Sequence, residues 1–286
     1  MNIYSDNQFH IFTGNLVNMK RITLLSAFLL FMMLLQQSCS VVPLTGRKQL
    51  SLVPESEMIS MSLTSYSEFL KQNPVSTDKA NTDLVKEVGT NISAAVIKYL
   101  ADNNLSSRLD GYQWEFNLVK NDTTINAWCM PGGKVVVYSG LLPVTRDKNG
   151  LAVVLSHEIA HAVARHGNER MSQELLTQFG SLALNEAIKQ KPEQTKGIFN
   201  SAYGIGSQLG VLLPFSREHE LEADKLGLIF MAMAGYDPQT AISFWERMAS
   251  SGGNKPPEFL STHPSDATRI DKIKAAMPEA LKYYQK

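Results

Sequence analysis

The stretch "LSHEIAHAVARHG" (residues 155–167) places two histidines four apart, with a glutamate directly after the first. A helix turns about 100° per residue, so His157 and His161 lie within about 40° of each other, one turn apart. Side chains at that spacing stand about 5–6 Å apart at Cβ. Both imidazoles can then reach one ion at roughly 2.0–2.1 Å. Glu158 lies about 100° round from His157, too far to complete the pair but well placed beside a water on that ion. The rest of the segment (Leu151, Val153, Val154, Leu155, Ile159, Ala160, Ala162, Val163) is apolar nearly all round. Such a helix is buried. Buried polar groups need partners, and a metal is the natural one here; the alternative is that the two histidines and the glutamate bond to backbone or to each other. His166 falls about 180° from His157 on a straight helix, which excludes it as a ligand. Arg165 and His166 before Gly167 read instead as a helix C-terminus carrying favourable cations.

A catalytic zinc keeps three protein ligands and one open position. "SREHELEADKLG" (residues 216–227) offers Glu218, His219, Glu220, Glu222 and Asp224 as the third. Helical periodicity puts Glu220, Ala223, Asp224, Gly227, Leu228 and Met231 on one face. Glu218, Glu222 and Lys225 fall on the opposite, charged face and are expected in solvent. Glu220 is therefore the expected third ligand. Asp224, one turn on, is placed to accept a hydrogen bond from the other ring nitrogen of a ligating histidine, fixing its tautomer. The alternative for Asp224 is an internal salt bridge with Arg165 or Arg269. Gly227 would let this helix approach another closely. His219 lies nearly opposite the apolar centre and is given no role.

The surrounding chain sets the frame. Its 286 residues suffice for one large domain or two small ones. Lys plus Arg equals Asp plus Glu, at 27 each, with no basic stripe, so nucleic acid is not an expected partner. Lys20 and Arg21 precede "ITLLSAFLLFMMLL" (22–35), which reads as the charged and apolar regions of a secretory signal. The run is short for a membrane span, which needs about 20 residues. It ends at "QQSCS", similar to a bacterial lipoprotein cleavage site. Residues 1–39 are thus expected to be a signal peptide with a start at Met19, cleaved before Cys39, which becomes lipid-anchored. Export to the periplasm, with the anchor in the outer membrane, follows as the expected location. Cys39 and Cys129 are the two cysteines, so a lipidated Cys39 leaves no internal disulfide.

Residues 40–54 read as a tether and 55–286 as a single domain. Helical spacing appears from Glu55 to Leu70 and from Leu84 to about Ala101. In "GYQWEFNLVK", Tyr112, Trp114, Phe116 and Leu118 alternate with polar residues, predicting a half-buried strand. "NAWCM" and "KVVVYSG" flank Pro131–Gly133, predicting a hairpin. Helices are expected after "RDKNG", after Ser216, from Asp237 and from Ala267. Residues 189–214 combine a polar break with a small-residue apolar run.

Taken together, "HEIAHAVARHG", "EHELEAD", "NAWCMPGGKVVVYSGLL", "STHPSDATRI" and "PLTGRKQLSLVPESE" resemble the HtpX and CAAX-prenyl-protease type of zinc metallopeptidase. The nearest branch is the soluble, periplasmic lipoprotein one (BepA- and LoiP-like). The resemblance spans roughly residues 43–275. It implies an α+β, mostly helical gluzincin fold with a small sheet whose edge strand faces the active-site cleft. It implies one zinc per chain, Glu220 as third ligand and Glu158 as the catalytic base. Asn126 and Ala127 match the family's substrate-facing position at the edge strand, while Trp128 and Cys129 depart from its commonest residues there. His263 matches a family histidine that either stabilises the oxyanion or swings in as a fourth ligand; a turn-capping role before Pro264 is the alternative. The implied function is an endopeptidase acting on unfolded or misfolded envelope proteins. The rival is a chaperone-like assembly factor that binds such proteins and seldom cuts them.

Overall fold

The computed structural model describes residues 39–43, 45–179, 192–203, 216–251, 257–263 and 267–284. Residues 1–38 of the expected signal, and most of 189–214, lie outside them. The helix carrying the two histidines is α4 (Lys148–Ala164). Asp147 caps it by accepting a hydrogen bond from Gly150 N at 2.9 Å. It ends where Arg165 turns left-handed at φ 61°, before α5 (His166–Phe179). Every residue from Gly150 to Ala164 is buried, as an all-round apolar helix requires.

Before it come α1 (Glu55–Gln72), α2 (Lys79–Asp102) and the short α3 (Leu142–Thr145). Three strands lie between α2 and α3: β3 (Glu115–Val119), β4 (Ala127–Met130) and β5 (Lys134–Tyr138). The sheet order is β3-β5-β4, so β4 is an edge strand among the described residues. β4 and β5 form the expected hairpin, antiparallel, with Gly132 and Gly133 at φ 80° and 79° in its turn. The left-handed conformation there is cheap only for glycine. β3 pairs with β5 in parallel, a pairing that alternation alone does not specify.

Both sheet faces are covered. Phe116, Leu118, Ala127, Cys129, Val135 and Val137 join the core that α2 and α4 line. Val119, Trp128, Met130, Val136 and Tyr138 join a second core with Phe69 of α1 and Met171 of α5. Phe199, in the same second core, comes from α6 (Pro192–Ala202), which begins inside the stretch read as a polar break. Then come α7 (Arg217–Met233), α8 (Thr240–Ser250), the short α9 (Glu258–Thr262) and α10 (Ala267–Leu281). Ser216 caps α7 as expected, accepting from His219 N at 3.2 Å. α7 packs along α4, and Gly227 makes the approach possible: a Cβ there would stand 3.1 Å from His157 N. No helix among the described residues is long and apolar enough to cross a membrane.

Residues 40–54 differ from the expected tether. They include most of an antiparallel pair, β1 (Cys39–Val41) with β2 (Lys48–Leu50), and Val42, Gln49 and Val53 are buried. Arg47, between the strands, reaches Glu169 on α5 and Glu222 on α7, both at 2.8 Å. The segment lacks helical period because it is a hairpin pinned to the domain.

Candidate active site

His157 and His161 project from one face of α4, with Nε2 atoms 3.0 Å apart. Glu220, in the first turn of α7, meets them: Oε2 lies 3.4 Å from His157 Nε2 and Oε1 lies 3.4 Å from His161 Nε2. His263, just past α9, adds a fourth group, with Nδ1 3.0 Å from Glu220 Oε1 and 3.3 Å from His157 Nε2. All four residues are buried, and one donor atom from each lies within 4.8 Å of the others.

Asp224 does two things that the sequence offered as alternatives. Its Oδ1 lies 3.0 Å from His157 Nδ1, and both oxygens accept from Arg269 at 2.8 Å. Arg269 also reaches Glu220 Oε2 at 2.9 Å and lies 3.4 Å above the Trp245 ring. The other suggested partner, Arg165, goes instead to Glu55 at 3.2 Å.

The donor set fits a tetrahedral metal. Zinc bonds to nitrogen at about 2.0–2.1 Å place neighbouring ligand atoms about 3.3 Å apart. The five contacts among His157, His161, Glu220 and His263 measure 3.0 to 3.4 Å, and one donor atom from each residue lies within 4.8 Å of the others. The two imidazoles of α4 differ in charge when no metal is bound. Burial pushes His161 well below its ordinary value, leaving it neutral as a ligand must be. Burial also opposes charge on His157, but Asp224 and Glu220 outweigh it and hold that imidazole at about 9. Without a metal, Asp224 and Glu220 keep a proton on His157 that a metal would displace.

Glu158 stands beside this cluster. Its Oε1 lies 3.4 Å from His263 Nε2 and has no hydrogen-bond partner among the described residues. Burial raises its carboxyl above the usual range, against the pull of His263 and His157. Glu158, His161 and His263 share a cleft with Asn126, Ala127 and Trp128 at the β4 edge. The Asn126 side chain is occupied: Oδ1 accepts from Ala127 N at 2.9 Å and Nδ2 donates to Glu258 Oε1 at 3.2 Å. It shapes the rim and ties it to α9.

Glu222 corrects the sequence reading. It is 6 % exposed, held by Arg47 at 2.8 Å and lying 3.2 Å from His166 Nε2. The hairpin covers Glu222, while Glu218 on the same face is exposed as expected. His166 is outside the cluster, as expected, yet its Nδ1 lies 2.9 Å from His161 Nδ1. His219 is buried, stacked on His166 and 2.9 Å from Glu169. Periodicity on single helices gave no signal for this group, whose members come from three separate segments.

Residues 90–277 match peptidase family M48. The chain is 39% identical over 176 residues to mitochondrial metalloendopeptidase OMA1 of Schizosaccharomyces pombe, covering 61% of this chain and 50% of that protein. It is 32% identical over 270 residues to the Homo sapiens metalloendopeptidase OMA1, covering 90% and 50%. The beta-barrel assembly-enhancing protease of Escherichia coli is 31% identical over 163 residues, covering 55% and 33%. The chain thus spans about half the length of the OMA1 relatives it matches. These relatives overturn the expected periplasmic, outer-membrane location. Proteins named mitochondrial match at up to 39% identity, and the bacterial assembly protease matches below that.

Proposed function

The chain belongs to peptidase family M48, and from that premise we propose that it is a zinc-dependent endopeptidase cutting extended segments of unfolded or misfolded proteins. The observation that carries this reading is the convergence of His157, His161, Glu220 and His263 on one point beside the buried carboxylate of Glu158. His157, His161 and Glu220 would hold the metal. Zinc bound there supplies a Lewis acid that polarises the scissile carbonyl and lowers the pKa of a water towards ~7.

The protein's own groups do the rest. Asp224 and Arg269 keep His157 Nε2 aimed at the cluster. Glu158 takes a proton from the attacking water and delivers it to the leaving amine; its raised proton affinity suits an exchange near neutral pH. The outer edge of β4, an edge among the described residues, receives the substrate backbone by strand addition, with Asn126 and Ala127 at its start. His263, 3.0 Å from Glu220, stands where a fourth ligand would close the open position.

The test uses casein, an unfolded protein. Glu158→Gln should retain zinc and lose cleavage. A variant that still binds casein without cutting it separates catalysis from the binding function of a chaperone-like factor. Unchanged casein turnover by Glu158→Gln would refute the role given to this residue.

A further inference from the structure

The two ring nitrogens of His161 have different neighbours. Nε2 faces the metal cluster, 3.0 Å from His157 Nε2. Nδ1 faces away, 2.9 Å from His166 Nδ1. His166 is held on its far side too, where Nε2 lies 3.2 Å from Glu222 Oε2. Glu222 in turn accepts from Arg47 Nε at 2.8 Å and from the Thr45 hydroxyl.

One distribution of protons serves the whole row. A ligating imidazole leaves its metal-side nitrogen bare, so His161 carries its proton on Nδ1 and donates it to His166 Nδ1. His166 then carries its own proton on Nε2 and donates it to the Glu222 carboxylate. The reverse distribution puts a proton on His161 Nε2 and removes a ligand.

Resting on the zinc-site reading above, we infer that His166, Glu222 and Arg47 are positioning residues that fix the tautomer and ring orientation of His161. The metal site is then completed by the N-terminal hairpin. The other ligating histidine is held by the same kind of row, from His157 Nδ1 to Asp224 to Arg269. Each row ends on a carboxylate clamped by a guanidinium, and the His161 row contains one more imidazole. Arg47 also grips the face of that extra ring indirectly. Its Nη1 and Nη2 donate to Glu169 at 3.0 and 2.8 Å, and Glu169 lies 2.9 Å from His219 Nε2. The His219 ring stacks on His166 at 4.5 Å between centroids and 15° between planes. One side chain from residues 45–47 thereby steadies both the edge and the face of His166.

The test is zinc affinity of the full chain, measured by competition with a chromophoric chelator, together with the visible spectrum of the cobalt-substituted protein. Glu222→Gln should weaken zinc binding roughly 10- to 100-fold, the range for such outer contacts. Arg47→Lys keeps the charge but cannot fork two carboxylates, and should weaken zinc in the same direction. Both should shift the cobalt bands and lower kcat with KM little changed. Arg47 is partly exposed, so its lysine variant carries the test should Glu222→Gln not fold. A purely structural role predicts a lower melting temperature for the metal-free chain with zinc affinity and cobalt spectrum unmoved; that result overturns the inference. A parent chain that binds no zinc overturns instead the proposed function beneath it.

Discussion

Arg269→Met probes how the site is held electrostatically. Arg269 is 2 % exposed and serves two buried carboxylates, Asp224 at 2.8 Å and Glu220 at 2.9 Å. Methionine fills much of its volume over Trp245 but supplies no charge and no donors. Asp224 and Glu220 then lose their guanidinium and share only the His157 imidazole. Breaking a buried ion pair by removing one partner costs about 3–5 kcal/mol. For a domain of this size, 1 kcal/mol moves the melting temperature by about 2–4 °C. The expected fall is therefore about 6–20 °C. A cation beside Glu220 replaces part of the lost charge, so the fall should be larger in excess chelator than in excess zinc. Circular dichroism melts of parent and variant under both conditions give the comparison. A variant melting within about 2 °C of the parent in chelator would refute the reasoning.

Other perturbations separate packing, capping and charge. Gly227→Leu places a side chain against the α4 backbone, where even a Cβ would stand 3.1 Å from His157 N. It should cost about 1–3 kcal/mol by overpacking and abolish zinc binding, both readable from urea unfolding with and without metal. Ser216→Ala removes the α7 cap and should cost about 0.5–2 kcal/mol in the same assay. Burial raises the Glu169 carboxyl, but hydrogen bonds from His219 and Arg47 outweigh it and hold it at about 2, against an ordinary 4.5. A depressed carboxyl stabilises the fold above its unfolded value, and the stabilisation disappears as pH falls from about 4.5 towards 2. Glu169→Gln should flatten the acid limb of the stability–pH curve in that window, measured in chelator.

What was legible in the sequence follows from what is local. His157, Glu158 and His161 share one helix, so residue spacing alone fixes their relative directions. Glu220 and Asp224 were readable because they interrupt an apolar stripe, and the structure brings that stripe onto α4. The β4–β5 hairpin was readable from its Pro–Gly–Gly turn. The misreadings are non-local. Glu222 looked solvated because α7 alone cannot reveal that Arg47, 175 positions away, lies over it. His166 and His219 looked idle because each points away from its own helix's marked face, where they meet each other. The parallel β3–β5 pairing needs the sheet to be assembled first. His263 sits in a turn with no period, and only its resemblance to a family position placed it near His157, His161 and Glu220.

Zinc-edge X-ray absorption on the purified full chain tests the central claim most directly. A site held by His157, His161 and Glu220 gives one zinc per chain with only nitrogen and oxygen neighbours, near 2.0–2.1 Å, and loss of that signal together with casein cleavage in Glu220→Ala. A metal-free preparation that still digests casein, or a zinc shell containing sulfur, would contradict it.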